Sequence, residues 1–193
     1  MKPGDWTQNQ LTAFSITIVS QSRQDFFGSA NLPGPVTPSL AGFMTTEDRD
    51  DAEDAETRKL LRYLDLVLDP QVGQEAAVDN LAAKPLEKLG YDDDEGMIFI
   101  RRALPVVICG IPSISQAYVC IIDEDNQLLL LLQGGRPLPS FEGSRSAKAI
   151  TAYAANNKVR QTSINLPPIS TFIFPAITMI GSNPIFYITV SAD

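Results

Sequence analysis

The spacing of apolar residues changes period along the chain. In "TTEDRDDAEDAETRKLLRYLDLVLD", residues 45–69, Leu60, Leu61, Leu64, Val67 and Leu68 fall on one stripe, the mark of an amphipathic helix. Thr46 is a candidate N-cap, the acids after it suit the positive end of a helix, and Pro70 stops it. "VGQEAAVDNLAAKPLEKLGY", 72–91, predicts a second helix that buries Val78, Leu81, Ala82, Leu86 and Leu89. Pro85 should kink or shorten this helix, and Gly90 should end it.

From residue 97 the period drops to two. "MIFIRRALPVVICGI", 97–111, reads as a β-branched strand, with Arg101, Arg102 and Pro105 marking an edge or a bend. "AYVCIID", 117–123, and "QLLLLLQ", 127–133, are two more strands. The turn residues "DEDN", 123–126, make them antiparallel neighbours. Helical spacing returns in "SRSAKAITAYAANNKV", 144–159, with Ala147, Ile150, Ala154 and Tyr153 facing inward. "TFIFPAITMIG", 171–181, and "PIFYITVS", 184–191, form a closing hairpin around "GSN".

The element order is therefore helix, three strands, helix, strand and an extra hairpin strand, an α/β (α+β) chain with a central mixed sheet flanked by helices. Five successive leucines, 128–132, leave that strand no face for water, so it belongs in the centre. Residues 28–44 concentrate Gly, Pro and Ser and read as a loop. It sets off a short N-terminal element, 6–27, with a strand at 13–19. The expected division is an extension over 1–44 and an α/β domain over 45–193.

Composition narrows the chemistry. The chain has 193 residues and no histidine, which excludes imidazole bases, Ser-His-Asp triads and His-ligated zinc. Cys109 and Cys120 lie in apolar strands and read as buried, reduced thiols. The net charge of −8 argues against tight nucleic-acid binding, although residues 136–160 hold a local basic group of Arg136, Arg145, Lys148, Lys158 and Arg160. No apolar run reaches the roughly 18–20 residues of a membrane span, and no secretory leader is expected at the N-terminus. An intracellular protein, cytoplasmic or nuclear, is the expectation.

Residues 6–19, the helix 74–91, "LPVVICG" at 104–110, "QAYVCII" at 116–122 and the hairpin "FPAITMIGSNPIFY" at 174–187 resemble an uncharacterised fungal protein family with a PD-(D/E)XK nuclease-like core. The resemblance implies a restriction-endonuclease-like α-β-β-β-α-β core. Such cores place one aspartate on the second strand, an acid-x-lysine triplet at the exit of the third, and often a glutamate on the first helix. Two carboxylates hold Mg²⁺, which needs hard oxygen ligands.

Here those positions read Tyr118, Gly134 and Arg136, with Glu75 as the helix acid and Asp79 one turn on. The resemblance then implies that no catalytic set is intact and that no metal or other cofactor is held. The implied role is a binding or interaction module, with Gln133, Arg136, Lys148 and Tyr153 as ligand-binding candidates. The partner would be nucleic acid or another protein, with no membrane involved. The alternatives are a Mg²⁺-dependent nuclease that uses displaced acids such as Glu75 and Asp79, or a structural protein that forms homo-oligomers. Asp123, Glu124 and Asp125 sit at the far end of the hairpin from Gly134 and read as a solvated turn. "YDDDEG", 91–96, reads as a solvated loop.

Overall fold

The computed structural model describes residues 21–31, 34, 37–69, 71, 72, 74, 76–108, 110–135, 141–180 and 182–192, together with 9, 12 and 19. The strand predicted at 13–19 and Cys109 therefore lie outside the described residues.

A short helix α1, Arg23–Phe27, is capped by Ser22, whose hydroxyl accepts the Asp25 N–H at 3.2 Å. Phe27 meets Phe186 edge-on, with ring centroids 5.3 Å apart. The stretch read as loop contains a second helix, α2, Pro38–Thr45. Thr37 caps it and Pro38 occupies its first turn, where a missing N–H costs nothing. Leu40 is buried and Phe43 packs on the core, so the boundary expected after residue 44 falls inside a helix that belongs to the body.

The long acidic helix starts later than its composition suggests. Thr46 closes α2, its N–H donating to the Gly42 carbonyl at 2.9 Å. A single 3₁₀ turn, Arg49–Asp51, follows, and α3 spans Ala55–Leu68. Its cap is Asp54, which accepts the Thr57 N–H at 2.8 Å and the Thr57 hydroxyl at 2.6 Å. Asp and Thr both make good N-caps, and the acidic run serves two short elements rather than one helix. A Cβ on Gly42 would stand 2.7 Å from Thr57 Oγ1. Thr57 is buried and its hydroxyl is held by Asp54, so it cannot retreat freely. Gly42→Ala is expected to destabilise the fold by about 1–3 kcal/mol, as for overpacking elsewhere, measured by urea denaturation.

Helix α4, Ala76–Lys88, runs on past Pro85. It ends at Gly90, whose φ of +80° lets the Tyr91 N–H return to the Leu86 carbonyl at 3.1 Å, as a left-handed stop requires. Five strands make one sheet in the order β1-β2-β3-β4-β5: Met97–Ile108, Ile111–Ile122, Leu128–Gly135, Thr171–Ile180 and Asn183–Ala192. All neighbours are antiparallel except β3 and β4, which are parallel. The leucine strand is thus central, as its sequence requires. Helix α5, Phe141–Thr162, makes the crossover between the parallel pair.

The helices cover opposite faces of the sheet. Ala77, Leu81 and Leu86 of α4, with Val67 of α3, pack on Val119, Ile121, Leu132 and Met179. Ala152 and Tyr153 of α5 pack on Cys120, Leu128, Leu131 and Phe174. Ala149, Ala152, Tyr153 and Asn156 are buried, whereas Ala154, expected inside, is exposed. A polar residue, Asn156, occupies a core position and disguises the phase of this helix. No helix of the described residues is long and apolar enough to cross a membrane.

The β1–β2 ladder breaks in one place. Pairs run from Met97↔Ile122 to Ile108↔Ile111, but Arg101 and Tyr118 are skipped. Arg101 has φ +60°, which L-residues avoid. Ala117 and Cys120, three residues apart, lie in the same core cluster, although strict alternation would send them to opposite faces. The two strands turn over at this point, confirming the bend expected from the paired arginines.

Candidate functional site

The turnover gathers four side chains. Asp79 stands in the first turn of α4, the helix packed on the Val119 face, and is only 2% exposed. Ile98 packs on that face too. Regular alternation from Ile98 would aim residue 101 at the opposite side. The left-handed backbone of Arg101 instead swings its guanidinium toward α4, where Nε donates to Asp79 Oδ2 at 3.1 Å. From the other helix, α5, Lys148 brings its Nζ to 4.4 Å from the centre of the Tyr118 ring, a cation–π contact.

Two of these groups have shifted titrations. Burial raises the Asp79 carboxyl above its ordinary range, opposed by the hydrogen bond and charge of Arg101 and by the charge of Lys148. Burial lowers the Lys148 ammonium to about 8, opposed by the charge of Asp79. The site therefore holds one buried acid, one half-exposed guanidinium, one weakened ammonium and one phenol. It can grip an anion with Arg101 and Lys148. Among the described residues the one carboxylate here is engaged by Arg101.

The Lys148 shift sets a pH dependence. Below about pH 8 the lysine is charged in both folded and unfolded chains, and burial disfavours it in the folded one. Between about 8 and its ordinary 10.5 the folded protein has released a proton that the unfolded chain keeps, so stability rises with pH in this window. Lys148→Met removes the burden. Its stability relative to the parent is expected to be highest below pH 8 and to decline between pH 8 and 10.5, read by urea denaturation across that range. The buried Cys120 thiol, pushed up to about 11, has the opposite slope but is shared by both proteins and cancels.

Of the residues singled out from sequence, Tyr118, Asp79 and Lys148 come together. Glu75 and Arg136 lie outside the described residues. Gln133 and Gly134 are placed by their backbone at the end of β3, where they pair with Thr178 and Met179 of β4. The last β2–β3 pair, Val119↔Leu132, falls one residue short of Tyr118 and Gln133. Tyr153 is buried, and its hydroxyl donates to the Ile169 carbonyl at 2.8 Å, which makes it a packing residue of the α5 core. The sequence marks Arg101 only as an edge or a bend. A charged residue breaking an apolar strand, with an acid on the preceding helix, was the available signal for it.

Among the described residues no three His, Cys, Asp or Glu side chains come close enough to hold a metal ion. A carboxylate tied to a guanidinium and a phenol do not make the oxygen-rich shell that Mg²⁺ needs, so the described residues do not fit that ion. No protein-family model, no curated protein and no solved structure matches this chain.

Proposed function

We propose that this chain is a catalytically degenerate relative of the PD-(D/E)XK nucleases that works as a binding module, holding an anionic partner at Arg101, Tyr118 and Lys148. One observation carries the reading. Where the resemblance puts the second-strand aspartate, Tyr118 lies against the Lys148 ammonium, and the nearby helix acid, Asp79, is bound to Arg101. Two carboxylates converging on a metal are thereby replaced by two cations and a single neutralised acid. The element order α4-β1-β2-β3-α5-β4, with helices on both faces of a mixed sheet, supports the nuclease-like ancestry.

Filter binding with single-stranded DNA, duplex DNA and RNA at low salt tests the reading. Retention should weaken as salt rises, and Lys148→Ala should lower affinity on the order of tenfold, as loss of one charged contact does. Absence of any salt-dependent retention removes nucleic acid as the partner. Cleavage in Mg²⁺ or Mn²⁺ that Glu75→Ala abolishes would replace the binding module by an active nuclease.

A second reading, self-assembly, is favoured by the outer part of the β1–β2 hairpin. Val107, Ile111 and Ile114 are 67%, 59% and 70% exposed there, and residues 103–122 contain no charge to protect the edge from pairing. Light scattering that returns a stable oligomer, lost in Ile114→Lys, would support it; a monomer at all concentrations would remove it.

A further inference from the structure

A second cationic site lies on the outer face of α3, made of residues that the first site does not use. Arg49, Ala55, Arg58, Lys59 and Arg62 line an open cleft of about 300 Å³. The helix explains the grouping. Thr57, Leu60, Leu61 and Val67 take the buried stripe, so the positions between them turn outward. The 3₁₀ turn before α3 then brings Arg49 alongside.

One of these cations is held in place by its surroundings. Arg58 Nη2 donates to the Ala52 carbonyl at 2.8 Å. Arg49 has loose, exposed contacts to Asp50 at 3.6 Å and Asp65 at 3.7 Å. Lys59 and Arg62 have no ion pair among the described residues. Arg58 and Arg62 stand one helical turn apart, a like-charge spacing that costs the helix stability. An anion between them would reverse the sign of that interaction.

We infer that this cleft is a binding site for a compact oligophosphate, a ligand that packs two or more phosphoryl groups into a small volume. Three features set the class. Planar guanidiniums match phosphate oxygens in pairs, and three of the four cations are arginines. Among the described residues no aromatic side chain lines the cleft, so none of them would stack a nucleobase. Acids crowd the adjoining sequence at Glu47, Asp48, Asp50, Asp51, Glu53 and Asp54. They oppose any anion within the roughly 8 Å screening length, and a long polyanion, which passes more of them, is opposed more than a compact one.

The full chain should be titrated by calorimetry at low salt with inorganic triphosphate, with orthophosphate and with a single-stranded oligonucleotide. Saturable one-to-one binding of triphosphate, tighter than that of orthophosphate, is expected. Arg58→Ala should weaken it about tenfold and Arg58→Ala/Arg62→Ala about a hundredfold. Binding that Lys148→Ala weakens and Arg58→Ala does not would place the triphosphate at Tyr118 and overturn the inference. Both arginines are exposed, and a thermal melt of the double variant verifies that it folds. No saturable triphosphate binding, binding that the folded double variant retains, or tighter binding of the oligonucleotide at the same residues would each overturn the inference.

Discussion

Replacing Asn156 by leucine is expected to lower stability by about 2–5 kcal/mol, with the loss seen as a shift in the urea midpoint at constant slope. Asn156 is 1% exposed. Its side-chain carbonyl accepts the Leu128 N–H at 2.7 Å, and its amide donates to the Leu128 carbonyl at 2.9 Å. One side chain thus completes both backbone groups of the residue that begins β3. Leucine would fit the apolar surroundings but would strand two buried polar groups, each costing about 1–3 kcal/mol. Asn157 does the same for Ile169, at 2.9 and 3.1 Å, but in a partly buried place where water can substitute. Asn157→Ala should therefore cost only about 1 kcal/mol. If the two variants lose equal stability, burial is not what gives Asn156 its weight.

The second large effect belongs to Arg101. Arg101→Ala is expected to cost about 2–4 kcal/mol at neutral pH, because it leaves the Asp79 carboxylate buried without its partner. The penalty should shrink on acidification. Burial already raises the Asp79 carboxyl above its ordinary 3.8, and without Arg101 it rises further. Folded Asp79 then keeps a proton that the unfolded chain has released, so stability in the variant falls as pH rises through that window. Arg101→Gly makes a useful control. It loses the same ion pair but relieves the left-handed backbone at φ +60°, worth about 1 kcal/mol, and should be the milder substitution. If alanine and glycine behave alike and neither shows a pH dependence, the Asp79–Arg101 pair is not what this corner of the fold rests on.

Most elements could be read from the sequence because their periods were clean. The leucine strand, the hairpin after residue 171 and the α4 helix with its Gly90 stop are local patterns. The errors came where one residue served two masters. Pro38 and the glycines around it made α2 look like a loop, although proline at the first turn is a helix-starting residue. Thr46 looked like the start of a helix and proved to be the end of one, because the burial of Leu40 and Phe43, a tertiary effect, decides that α2 exists. The helical period points Ala154 inward, but the buried asparagine Asn156 sets the true phase of α5 and leaves Ala154 exposed. Of the site, Tyr118, Asp79 and Lys148 could be named in advance. Their meeting with Arg101 could not, since it depends on a break in strand alternation that no period in the sequence records.

The parallel pairing of β3 with β4 has a mechanical consequence. The sheet is two antiparallel pieces, β1-β2-β3 and β4-β5, joined along one line. Leu131 and Ala176, partners on that line, are about 45 residues apart in sequence, so closing the line costs more chain entropy than either hairpin. The two asparagines of α5 straddle it, one clasping the start of β3 and the other the run into β4. Native-state hydrogen exchange should resolve two cooperative units that separate here, with α5 as the hasp that keeps them shut.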